Sequence, residues 1–209
     1  VARAAAGPEL RFAMIEMILA DPAHVAIHGA LLETGMGGVL LCGQPGAGKS
    51  TLAATLAQSG VTLAGEDMVL LDAEHAAVSA VPLPLTIKAG SWDRLSRRLA
   101  VDEELPALPR ADGQAVRYVP LPAAASPRWH KLRAIVRLER RPATRTELVP
   151  LDRTASLRQL FADAHSPTGR SSRATVRALA TLVEGAENFT LHYSEAEDAA
   201  ALLAKRLAG

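Results

Sequence analysis

Gly43-Gln44-Pro45-Gly46-Ala47-Gly48-Lys49-Ser50 fits the pattern G-x-x-x-x-G-K-[ST], and its flanks give the match a physical meaning. Ahead of it, Gly38-Val39-Leu40-Leu41-Cys42 is an apolar run of strand type; behind it, Thr51 to Ala57 reads as a helix. Glycines let the backbone curl so that successive N–H groups and the helix N-terminus converge on one anion. In such a loop Lys49 reaches the β- and γ-phosphates, and the Ser50 hydroxyl ligates Mg²⁺. The expected cradle is Gly43, Gln44, Pro45, Gly46, Ala47, Gly48, Lys49, Ser50 and Thr51, holding a nucleoside triphosphate or something built like one together with Mg²⁺.

Working outward, His24 to Leu32 reads as a strand that pairs with Val39 to Cys42 as a hairpin through the turn Glu33 to Gly38. Residues 9 to 20 fit helix and strand alike. Ser59-Gly60 closes the helix that follows the loop. Val61 to Leu63 and Met68 to Asp72 bracket a short acidic turn, Gly65-Glu66-Asp67. Val78 to Lys88 is strand-like, with Pro82 and Pro84 confining part of it to an edge or bend. Residues 93–130 are punctuated by prolines and read as an insertion facing the substrate or as a long connection. Leu132 to Leu138 is a strand, Ser156 to Ala164 a helix with Leu157, Leu160 and Phe161 on one face, and Ala174 to Val183 another helix. Phe189 to Tyr193 alternates as a strand, and Ala196 to Leu207 is an amphipathic helix. The expectation is a single α/β domain over residues 1–209: core motifs in 24–92, a loop-rich segment in 93–130, and an α/β part in 131–209.

Composition narrows the function classes. The net charge of +1 provides no broad field for nucleic acid, and 3% aromatics leave little for base stacking. No apolar run reaches the length of a membrane span. The single cysteine, Cys42, excludes an internal disulfide and reads as a small buried side chain. A cytoplasmic protein that contacts neither nucleic acid nor membrane is expected.

The acidic pair Glu66-Asp67 follows Lys49 by 17 and 18 residues, so it is expected at a strand edge near the phosphates. Adjacent carboxylates can divide labour, one holding Mg²⁺ and the other accepting a proton from an attacking hydroxyl. Spacing alone equally admits a solvated acidic turn. His28 lies on the strand paired with the one that feeds the loop, and there it could tune the Glu66 proton or simply be a structural histidine. Arg137, Arg140 and Arg141 read as solvated or paired with Glu139 and Glu147.

His28-Gly29, the run Gly38 to Leu41, the loop ending in Gly48-Lys49-Ser50, and Glu66-Asp67 together resemble the catalytic core of HPr kinase/phosphorylase. That family of bacterial serine kinases is structurally related to phosphoenolpyruvate carboxykinases. The resemblance covers residues 24–92 well and extends loosely to Pro167-Thr168-Gly169-Arg170-Ser171. It implies a P-loop kinase domain with a mixed sheet flanked by helices, corresponding to the family's C-terminal catalytic domain. It further implies Glu66 as general base, Asp67 with Ser50 on Mg²⁺, and His28 interacting with the base. Lys88 and Arg170 are the candidate substrate-side cations, and Arg170 could pair with phosphate or an acidic patch on the acceptor or equally be a surface arginine near a helix start. Members of that family form oligomers, which leaves a homo-oligomer open. Departures are visible: Glu66 stands where the family has aspartate, and Pro45 replaces the loop serine. Thr86 to Ser91 occupies the place of a signature tied to the phosphorylase reaction, so that activity is not expected to carry over.

The leading expectation is therefore an ATP-dependent kinase that transfers the γ-phosphoryl group to a hydroxyl, a serine on a protein or peptide. A non-catalytic nucleotide-binding regulatory module and a small-molecule kinase are the alternatives.

Overall fold

Val39, Leu40, Leu41 and Cys42 are each at most 1% exposed, so the strand feeding the glycine loop is covered on both faces. Such a continuous apolar run belongs at the centre of a sheet with a layer on either side. The computed structural model describes residues 6–20, 25–92, 95, 105–110, 113–120, 128–165 and 172–207. Helix α1 (Ala6–Ala20) comes first, followed by β1 (Val25–Ile27), β2 (Ala30–Thr34), β3 (Gly37–Cys42), α2 (Lys49–Gln58), β4 (Thr62–Glu66), β5 (Val69–Asp72), β6 (Ala77–Ala80) and β7 (Leu85–Lys88). A 3₁₀ turn (Ala89–Ser91) leads to β8 (Leu108–Pro109), β9 (Ala115–Val119), β10 (Leu132–Arg140) and β11 (Glu147–Pro150). Then come α3 (Arg153–Asp163), β12 (Ala164–His165), α4 (Arg173–Gly185), β13 (Glu187–Tyr193) and α5 (Ala196–Leu207).

The architecture is mixed α/β, with three sheets among the described residues. The largest has the order β11-β13-β10-β3-β2-β4. β3, β10 and β13 run parallel, while β2, β4 and β11 are antiparallel to their neighbours. Alternation along the central strands divides the interior in two. Val39, Leu41, Val136 and Leu138 face a core shared with α2 and α5. Leu40, Cys42 and Ile135 face a second core, shared with α3, α4 and the sheet β12-β1-β5-β6. Helices α3 and α4 begin with side-chain caps, from Asp152 to the Ala155 amide and from Ser172 to the Thr175 amide. Among the described residues no helix is long and apolar enough to cross a membrane.

Several expectations change in the folded chain. The ambiguous stretch over residues 9–20 is helix. The strand expected over His24 to Leu32 is two strands in two different sheets, broken at His28-Gly29. A Cβ on Gly29 would lie 2.8 Å from the Leu41 carbonyl oxygen, so only glycine lets the chain cross this closely over β3. Val78 to Lys88 likewise divides, Pro82 and Pro84 separating β6 from β7 in the sheet β7-β9-β8. β4 runs on to Glu66, which therefore closes a strand instead of sitting in a turn. Phe161 is exposed while Leu160 is fully buried, because residues one apart on a helix point in different directions. The loop-rich segment contains β8 and β9, and Leu121 to Pro127 lie outside the described residues.

Candidate functional site

Three strand ends and one helix start converge on a cavity of about 400 Å³. The glycine loop leaves β3 and enters α2, as the flanking sequence requires. Gly43, Gly46 and Gly48 have φ of +143°, +85° and +91°, left-handed values that side chains disfavour. The first bond into the helix runs from the Leu52 amide to the Gly48 carbonyl. The amides of Lys49, Ser50 and Thr51 precede it and have no partner within the helix. Pro45 contributes no N–H, so the ring of donors is one short of what a serine there would supply. Pro45, Gly46, Gly48, Lys49, Ser50 and Thr51 line the cavity, whereas Gly43, Gln44 and Ala47 shape the loop behind it. The Lys49 ammonium, in a side chain only 8% exposed, donates to the Gly43 carbonyl at 2.7 Å. Burial lowers its pKa, opposed by surrounding carboxylates.

The opposite wall is acidic. Glu66 is 2% exposed at the end of β4. Its Oε2 accepts from the Ser50 hydroxyl, and its Oε1 accepts from the Thr86 amide of β7 at 2.7 Å. The glutamate thus links the loop's serine to a strand from another sheet. Burial raises its pKa, and neighbouring Asp67 adds to the rise, against the pull of the Ser50 and Thr86 hydrogen bonds. Asp67 follows at φ +74°, which turns its side chain toward a different set of partners. Burial pushes this carboxyl up, but the Arg11 guanidinium, helped by His28 and Arg110, brings it below its ordinary value.

His28 sits at the break between β1 and β2, and its partner is the aspartate. Its Nδ1 lies 3.1 Å from the Asp67 carbonyl oxygen and 3.5 Å from Oδ1. The expectation that His28 meets Glu66 as the base is corrected accordingly: the hop between sheets aims the ring at the residue after β4. Burial, then Lys49, lowers the His28 pKa, which favours a neutral ring.

Thr86, Ile87, Lys88, Ser91, Arg110 and Arg140 complete the lining of the cavity. Lys88 is exposed and lines the cavity. Arg170 lies outside the described residues.

Sequence reasoning missed four residues that the fold brings to the site. Arg140 ends β10 on the same face as Leu138, and its Nε donates to the Ser194 carbonyl at 3.0 Å. Its neighbours Arg137 and Arg141 both pair with Glu139, at 3.0 and 2.6 Å, while Arg140 lines the cavity. Period-two alternation along the strand is the signal that could have separated it from the other two. Tyr193, in register with Arg140 on β13, donates its hydroxyl to the Ala47 carbonyl from beneath the loop. Burial pushes its pKa up to about 12, so it stays a donor. Arg110 and Arg11 reach the acidic wall from residues far apart in the chain, and no local pattern announces either.

The donors near the loop suit a hard divalent cation. Ser50, Glu66 and Asp67 offer oxygen alone, and among the described residues no cluster of three or more His, Cys, Asp or Glu forms a protein-only metal cage. Magnesium is ordinarily held by one or two protein oxygens together with substrate phosphates and water, and these residues fit that pattern. Cys42, behind the loop, is not part of this chemistry: burial pushes its thiol up to about 12.

No protein-family model matches the chain, and no curated protein matches it significantly. Among solved structures, the HPr(Ser) kinase/phosphatase from Coxiella burnetii is similar over 88% of this chain and 99% of its own, with 13% identity and a TM-score of 0.33. A superposition that loose carries no argument about chemistry.

Proposed function

We propose that the chain is a Mg²⁺-dependent phosphotransferase that moves the γ-phosphoryl group of ATP to a hydroxyl. The observation that carries this reading is the buried Glu66, tied to the hydroxyl of Ser50 at the glycine loop and facing the same cavity as Lys49. Phosphoryl transfer asks for positioning and charge stabilisation more than covalent chemistry. The loop amides and Lys49 supply the anion site, with Arg140 as a further cation at its edge. Glu66, whose proton affinity is raised by burial, accepts the proton of the incoming hydroxyl. Ser50 and Asp67 would hold the divalent ion, which neutralises charge on the phosphates when bound. Asp67 suits that task because its carboxyl, held below its ordinary pKa, is ionised at neutral pH. The acceptor class, a serine on a protein or peptide, rests on the motif resemblance, with Lys88 on the acceptor side.

A second assignment has one observation in its favour. His28 contacts Asp67, so an Asp67–His28 pair would serve as the base while Glu66 and Ser50 hold the ion. Two substitutions separate the assignments. Glu66→Gln is expected to retain nucleotide and Mn²⁺ binding while losing transfer by roughly 10²- to 10⁴-fold. Asp67→Asn is expected to weaken Mn²⁺ binding first. Radiolabelled ATP with a cell lysate as acceptor source, followed by phosphopeptide mass spectrometry, reads transfer; electron paramagnetic resonance reads Mn²⁺. The reverse pattern exchanges the two roles. Tight ATP binding with no acceptor labelled and no ATP consumed would leave a nucleotide-binding module.

A further inference from the structure

Asp67 meets a cation from the far end of the chain. Arg11 of α1 places Nη2 2.8 Å from Asp67 Oδ2 and donates from Nη1 to the Pro84 carbonyl at 2.8 Å. Its guanidinium also lies 5.7 Å from the centre of the Tyr118 ring, and its side chain is only 10% exposed. The other carboxylate oxygen faces His28 at 3.5 Å. Both oxygens of the proposed metal ligand are therefore turned toward nitrogen partners.

Apolar burial seats the rest of α1 only in part: Leu10, Phe12, Met14 and Met17 are 63%, 65%, 42% and 75% exposed, while Ile15 and Ile18 are half-buried. Among the described residues, Arg11 is a polar anchor of the helix. A divalent ion binds carboxylate oxygen directly at about 2.1 Å, and at that range it repels a guanidinium hydrogen-bonded to the same group.

We propose that α1 is a gate on metal loading: Arg11 and the divalent cation compete for Asp67, and binding of metal with nucleotide releases the helix. This rests on the reading of Asp67 as a metal ligand. Seated on Asp67, the guanidinium offsets the charge of that carboxylate. With nucleotide supplying the remaining oxygens for the ion, Arg11 would give up Asp67, and α1 would keep only its weaker links through the Pro84 carbonyl and the Tyr118 ring.

The test uses the full chain with saturating ADP, nucleotide binding being followed separately. Arg11→Gln is expected to bind Mn²⁺ about tenfold tighter than the wild type by electron paramagnetic resonance, within the usual range of coupling between two ligands. In the wild type, α1 amides are expected to exchange hydrogen faster with Mg²⁺ and ADP together than with ADP and a chelator. Equal Mn²⁺ affinity in the two proteins, or unchanged protection of α1 at saturating metal, overturns the gate. Weaker Mn²⁺ binding by Arg11→Gln also overturns it, and makes Arg11 a positioning residue for Asp67. Absence of Mn²⁺ binding in both proteins while ADP still binds would overturn the metal reading itself, and the gate with it.

Discussion

At the scale of single residues, two adjacent carboxylates are driven apart by their surroundings. Glu66 is buried with neutral donors, so its folded-state pKa is raised; Asp67 has Arg11 beside it, and its own is lowered. The consequences for stability have opposite sign. The Glu66 contribution is whole below the ordinary glutamate value of about 4.3 and is lost as pH rises through the raised folded value. The Asp67 contribution is whole above the ordinary aspartate value of about 3.9 and is lost as pH falls through the lowered one. Glu66→Gln removes the first dependence alone. In urea unfolding between about pH 4 and 8, the wild type is expected to lose stability relative to Glu66→Gln as pH rises, by about 1.4 kcal/mol for each unit of upward shift. A difference that stays flat, or grows the other way, would contradict the charge burial.

At the scale of elements, the loop is supported from below by the ends of β10 and β13. Gly48 is glycine for two separable reasons: φ is +91°, and a Cβ would lie 2.5 Å from the Tyr193 hydroxyl oxygen. Gly48→Ala is expected to cost about 1–2 kcal/mol for the left-handed backbone, and about 1–3 kcal/mol more for overpacking against the tyrosine. Tyr193→Phe removes the obstructing oxygen and leaves the backbone cost in place. In a double-mutant cycle followed by chemical denaturation, Gly48→Ala should therefore cost at least about 1 kcal/mol less in the Tyr193→Phe background. Strict additivity would mean that the tyrosine does not shape the loop.

At the scale of the whole molecule, the cavity draws on β4, β7, β10, α2 and the β1–β2 junction, so an anion bound there braces several layers at once. Nucleotide that binds only the folded chain adds about 2.7 kcal/mol of stability at one hundred times its dissociation constant. Thermal unfolding with Mg²⁺ and ATP is expected to shift upward, and Lys49→Ala to abolish the shift while unfolding near the wild-type temperature without ligand. An unchanged shift in Lys49→Ala would remove the lysine from the anion site.

The local pattern was sufficient for the loop, its flanking strand and helix, and the helix Ala196–Leu207, because each is written within one stretch of chain; of the expected hairpin only Ala30 to Leu32 pairs with β3, and Glu33, Thr34, Gly37 and Gly38, read as turn, lie in the strands. Val39 to Cys42 announces a central strand by its unbroken apolarity, and Gly48-Lys49-Ser50 carries the chemistry on which the proposed anion site rests. The composition of the site's outer half was decided in three dimensions. Whether His28 meets Glu66 or Asp67 depends on where β1 hops into β2, and Arg140 points at the loop because of strand phase and register with Tyr193. Arg11 reaches Asp67 across 56 positions of sequence. Contacts of that kind arise from packing between layers, where no short-range preference of the chain records which side chains will meet.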